Sequence, residues 1–114
     1  MTYGVRQTLQ DVGNGEPMRE RMVFPTASTT LKVGQNYVQI AGDADLVITL
    51  PPVLEAMGEI VFIRTVTGGG KTITVQDQDD TVDNYSEDIE DTGDYVLLFS
   101  TGDRWLPLVS VSGD

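Results

Sequence analysis

Nine carboxylates and no base lie between Gln76 and Asp94: Asp77, Asp79, Asp80, Asp83, Glu87, Asp88, Glu90, Asp91 and Asp94. Oxygen donors this dense suit a hard cation, since calcium gathers about six to eight of them. The spacing, however, does not reproduce the D-x-D-x-D-G loop with its distal glutamate. Two of these acids could also be offered as a glycosidase pair. Such a pair needs an apolar pocket to keep one carboxyl protonated, and an exposed acidic loop offers none. A solvated, mutually repelling surface loop is the plainer reading.

Other candidate chemistry is thinner. Gly68-Gly69-Gly70-Lys71-Thr72 imitates the end of a phosphate-binding loop, but Thr65 stands where its first glycine belongs. Strand-forming residues follow the lysine where a helix is needed, so the glycines read as a hairpin tip. Asn84-Tyr85-Ser86 matches a glycosylation sequon, without the secretion signal that would give it meaning. Trp105 could stack on a sugar, although a lone strand tryptophan is more often core. The chain has neither cysteine nor histidine, which removes disulfides, thiolate nucleophiles, the usual general base and the commonest zinc ligand. No nucleophile, base and oxyanion hole can be assembled from what remains. The expectation is a protein that is not an enzyme and carries no cofactor and no metal.

Charge divides the chain of 114 residues unevenly. Residues 1–32 hold Arg6, Arg19, Arg21 and Lys32 against Asp11, Glu16 and Glu20, a balance of +1. The remaining 15 acids face only Arg64, Lys71 and Arg104, a balance of −12 within the total of −11. A body so acidic repels nucleic acid and anionic membrane surfaces. The partner contact is therefore expected at the near-neutral head. With no apolar run of membrane-spanning length and no signal-peptide layout, synthesis inside the cell without export is expected.

The elements that must carry these residues are short strands. Residues 1–28 show neither a period of 2 nor of 3.6, are broken by Gly4, Gly13, Gly15 and Pro17, and yet are too apolar for a solvated tail. They read as an extended N-terminal arm. Its expected contact residues are Tyr3, Val5, Arg6, Leu9, Arg19, Arg21, Met22 and Phe24. The blander alternative is a flexible terminus with one strand docked on its own body.

From Thr29 the pattern changes. Thr30–Val33 and Tyr37–Ile40 read as a hairpin turned at Gly34-Gln35-Asn36. Leu46–Leu50 stops at Pro51-Pro52, and Val53–Met57 forms one helical turn closed by Gly58. Ile60–Val66 and Thr72–Val75 read as a second hairpin, Thr81–Tyr85 as a short edge strand, and Tyr95–Ser100 with Arg104–Val111 as the last hairpin. About seven or eight strands at this spacing predict an all-β fold, a small antiparallel sandwich or barrel spanning 29–114. Alternation places Leu46, Ile48, Leu50, Ile60, Phe62, Thr65, Ile73, Val75, Val96, Leu98 and Trp105 in the core.

The run Ala44–Pro52, then Glu55-Ala56-Met57-Gly58, then Ile60–Arg64, resembles β-rich modules of tailed-phage virion proteins. In those modules a strand ending in TLP leads through an A-x-G turn to an I-x-F-x-I-K/R strand. A hairpin and a closing V-x-L-x-S-D/T-G-x-x-W follow. The matching residues are Ala56, Gly58, Ile60, Phe62, Ile63, Arg64, Lys71–Val75, Tyr95–Ser100, Gly102 and Trp105. The likeness covers about 60 to 70 residues, in the manner of a repeat-period match. It implies a structural protein of the virion, often trimeric, found in fibres or as capsid decoration. A module with an apolar arm and no fibre shaft is similar to a capsid-decoration, or cement, protein. That likeness implies a homotrimer that binds the major capsid protein on the outer capsid surface, is made in the host cytoplasm and contacts neither nucleic acid nor membrane. The alternative is the receptor-binding tip of a tail or head fibre, served by Trp105, Tyr85 and Tyr95. The acidic loop departs from the fibre pattern and sets carbohydrate binding there in doubt.

Overall fold

The computed structural model describes residues 21–41, 44–66 and 71–111, and every element it contains there is a strand. In chain order these are β1 (Met22–Val23), β2 (Thr29–Thr30), β3 (Tyr37–Ile40), β4 (Leu46–Thr49) and β5 (Ile60–Thr65). They are followed by β6 (Ile73–Gln76), β7 (Ser86–Ile89), β8 (Tyr95–Ser100) and β9 (Trp105–Val111). Two sheets result, one of five strands ordered β1-β3-β5-β8-β9 and one of four ordered β2-β4-β6-β7. Their inner faces share one core, so the fold is an all-β sandwich.

The route through the sandwich differs from the expected one. Up to β6 the chain changes sheet at every connection, so β1, β3 and β5 stack parallel in one sheet and β2, β4 and β6 stack parallel in the other. Antiparallel pairing enters only with β6·β7, β5·β8 and β8·β9. The sheets are thus mixed rather than purely antiparallel. Parallel neighbours need a long crossover, and here the crossover is itself a strand of the opposite sheet. Two expected hairpins are therefore corrected. β2 and β3 lie in different sheets, as do β5 and β6. The turn between β2 and β3 exists, with Gly34 at φ +96° and Gln35 N–H donating to the Lys32 carbonyl at 3.0 Å, but it lifts the chain across the core instead of folding it back. The glycine tip at 68–70 lies outside the described residues.

The last hairpin is present, with Ser100 opposite Trp105 and Gly102 at φ +100° between them. A Cβ at Gly102 would come within 2.9 Å of Met57 Sδ, but that exposed thioether can move aside, so the positive φ is what calls for glycine there. Val53–Met57 makes a single turn, Ala56 N–H donating to the Pro52 carbonyl, closed by Gly58 at φ +88°. Thr81–Tyr85 is not a strand. The edge strand falls one step later, at Ser86–Ile89.

The core holds Leu46, Ile48, Leu50, Ile73, Val75, Val96, Leu98 and Trp105, as alternation indicated. On β5 the parity is inverted: Val61, Ile63 and Thr65 face inward, whereas Ile60 and Phe62 face out. Both sets are apolar, so period 2 alone does not choose between them. Arg64, two residues beyond Phe62, is the signal that does: a lone guanidinium cannot be buried unpaired.

Candidate interaction surface

Acids at the 77–94 end of the fold are builders rather than a site. Asp77 is buried, and its carboxylate accepts from the N–H of Asp79 at 2.8 Å, the N–H of Tyr85 at 2.9 Å and the Thr81 hydroxyl. Asp79 and Asn84 take positive φ (64° and 52°) to wrap the chain round it. Asp80 accepts from Val53 N–H at 2.9 Å, and Asp94 from the N–H groups of Glu90 and Asp91. The expected picture of a purely solvated, repelling loop is thereby corrected. Three of its carboxylates are the hydrogen-bond centres on which the loop is folded. Among the described residues, no three His, Cys, Asp or Glu side chains gather to hold a metal ion.

Tyr85 donates its hydroxyl to Glu87 Oε1 at 2.8 Å, and burial together with that carboxylate pushes its phenol well above the ordinary range. Asp103 moves the other way, held below the usual carboxylate range by the Thr101 hydroxyl and then by Arg104. A polar groove of about 560 Å³ opens beside this loop. Thr30, Thr49, Gln76 and Ser86 form its floor, one register row running across all four strands of the smaller sheet.

The opposite face of the molecule is of another kind. On the five-stranded sheet, register aligns Met22, Tyr37, Phe62, Leu97 and Val109 in one outward row crossing every strand. Ile60, Phe99 and Leu106 form the row on one side of it, and Gln39, Arg64, Tyr95 and Val111 the row on the other. Tyr37 and Phe62 stack with ring centroids 5.9 Å apart, and Phe62 meets Tyr95 at 5.6 Å. The Tyr37 hydroxyl donates to Gln39 Oε1 at 2.7 Å, so even the polar members are turned to one another. Phe24, 56 % exposed, sits beside Gln39 in a shallow apolar groove and extends the face past β1. Arg64 is the one charged side chain in the three rows.

The contrast with the other sheet follows from its outward residues. Val47, Thr49, Thr74, Gln76, Ser86 and Asp88 present mostly hydroxyl, amide and carboxylate groups. Strands with apolar residues at both parities, such as IVFIRT in β5 and YVLLFS in β8, are normally covered on both sides. Here only the inner side is covered.

Of the expected contact residues, Met22 and Phe24 lie on this face and Arg21 is exposed just before it. Tyr3, Val5, Arg6, Leu9 and Arg19 lie outside the described residues. Met22–Val23, within the segment read as the arm, form the edge strand of the larger sheet, and Val23 packs on the core. The sugar-stacking reading of Trp105 is overturned. Its side chain is fully buried, with Nε1 the one buried side-chain polar atom lacking a partner among the described residues. Sequence reasoning missed Tyr37, Leu97, Phe99, Leu106 and Val109 as surface residues. The available signal was the run of apolar residues YVLLF in β8 and WLPLV in β9, which puts apolar side chains on both sides of each strand.

Comparison with protein-family models, with curated proteins and with solved structures finds no match to this chain.

Proposed function

We propose that this protein is a structural, non-enzymatic component of a phage virion. It decorates the outer capsid surface as a homo-oligomer and binds coat subunits through its N-terminal segment. The observation that carries the reading is the division of the sandwich into an apolar face with Arg64 its one charge, flanked by Met22 and Phe24, and a polar face with the acidic loop at its end. A protein that assembles with its own copies on one side and keeps particles apart on the other needs this division. The resemblance of Ile60–Arg64 and Tyr95–Trp105 to virion modules supplies the setting. Many copies on one shell would turn modest contacts into lasting ones.

The test is co-sedimentation with purified expanded shells. The full chain is expected in the pellet at hundreds of copies per particle, and a variant lacking residues 1–20 in the supernatant. The cut precedes β1, so the sheet edge is kept. Equal retention of both proteins would remove the N-terminal segment from the mechanism, and no binding by either would refute the decoration reading.

The polar groove at Thr30, Thr49, Gln76 and Tyr85 favours a second reading, a receptor-binding tip that takes a hydroxyl-rich ligand there. A blank glycan array would dispose of it.

A further inference from the structure

We infer that the outward face of the five-stranded sheet is a self-association surface, covered by another copy of this chain. This deepens the homo-oligomer part of the proposed function. It names the surface, and it holds whether or not the assembly sits on a shell.

The first argument is area. Ile60, Leu106, Val109 and Val111 are each between 42 and 46 % exposed, and Phe24 is 56 % exposed. With Met22 and the half-buried Tyr37, Phe62, Tyr95, Leu97 and Phe99, the face offers on the order of 700 Å², close to the ~800 Å² each partner of a standard interface buries. Solitary monomers rarely leave so much contiguous apolar surface in water.

Charge decides the occupant. Each copy carries −11, so two copies repel unless they meet where the acids are absent. The three rows carry one cation and no carboxylate, while the Asp77–Asp88 acids belong to the opposite sheet and its loop. Stacking through this face removes the apolar rows from water and leaves the acidic sides pointing apart. A basic partner would find no carboxylate to pair with here, and an acidic one only Arg64. Apart from Arg64, which stands in the end row and stays at the wet rim of such a contact, the face is uncharged, and another copy supplies the matching surface. Geometry agrees, because the inner side of the same sheet already packs against a sheet through Val38, Ile40, Val61, Ile63, Val96 and Leu98.

The test is sedimentation velocity of the full chain from 1 to 200 µM. The expected result is a concentration-dependent shift to a multiple of the 12.4 kDa monomer. The variant L97K/V109K should sediment as a monomer, with an apparent dissociation constant raised at least tenfold. Added lysines lower the net negative charge, so the loss could not come from greater overall repulsion. T74K, on the outward side of the other sheet, should associate like the parent. Should the double variant fail to fold by circular dichroism, spin labels replace it. The chain has no cysteine, so L97C and T74C each carry a single label. The label at 97 should become immobilised with rising concentration and the label at 74 should not. A parent chain that stays monomeric to 200 µM, or a folded L97K/V109K of parental mass, overturns the inference. Shell binding is scored separately, so a dimer or trimer that ignores shells would refute the decoration reading alone.

Discussion

Replacement of Trp105 is the sharpest probe of the sandwich, because this side chain was open to a surface role and the fold makes it core. It is fully buried beside the Ser100–Thr101 turn, at the start of β9. Trp105→Ala removes the largest fully buried side chain of the protein. Large-to-small changes of this type cost about 3–5 kcal/mol, lost transfer energy and residual cavity together. Against a total stability of about 5–15 kcal/mol for a domain of this kind, that is from about a fifth to all of it. Trp105→Phe should be far milder. It gives up part of the ring area, at about 25 cal/mol per Å². It also removes the buried Nε1–H that has no acceptor, relieving a cost of about 1–3 kcal/mol. The net loss expected is below about 2 kcal/mol. Urea unfolding followed by circular dichroism measures both variants, since Trp105 is the sole tryptophan and its fluorescence disappears with it. In the parent, emission should be blue-shifted and move to the red on unfolding. A Trp105→Ala protein within about 1 kcal/mol of the parent would refute the packing argument. So would a native emission maximum already typical of water.

Inverted parity on β5 predicts that Ile63→Ala costs about 2–5 kcal/mol and Ile60→Ala less than about 1 kcal/mol in dilute solution, by urea midpoints. The reverse order would restore the Ile60/Phe62 core. Asp77→Ala strips the acceptor from two backbone N–H groups and a hydroxyl. It should cost about 2–3 kcal/mol and raise hydrogen exchange at Asp79 and Tyr85 first, whereas an unchanged exchange pattern would make the carboxylate incidental. The Tyr85 phenol is raised in the folded state, so its contribution is complete below the unfolded pKa near 10 and is lost as pH climbs above it. Stability should therefore fall above about pH 10 more steeply in the parent than in Tyr85→Phe, and an ultraviolet titration should show one tyrosine ionising only on unfolding. Parallel stability curves for the two proteins would remove Tyr85 from the alkaline response.

Local pattern made some features of the fold legible and left others hidden. β4 alternates Leu46, Val47, Ile48, Thr49, and both its existence and its buried side follow from that pattern. β8 and β9 are joined by Thr101-Gly102-Asp103, a local turn that fixes their pairing. The Gly34 turn between β2 and β3 is as well formed, yet it changes sheet. A turn sequence specifies local dihedrals. Whether the next strand returns beside its predecessor depends on where the opposite sheet offers a free edge. The interaction face was hidden for a related reason. Tyr37, Phe62, Leu97 and Val109 lie far apart in the chain and become one row only through the registers of four strands.

Composition and order by themselves determined that the protein is built of short strands, that its body is strongly acidic, that Gly58 and Gly102 turn the chain, and that Leu46, Ile48, Val75, Val96 and Leu98 are core. Those properties are local, set by dihedral preference, side-chain alternation and charge. Which strands are neighbours, which side of β5 meets solvent, and where Asp77 ends were decided only when the two sheets closed on each other. Burial and register are relations between distant segments, and no window of the chain contains both partners.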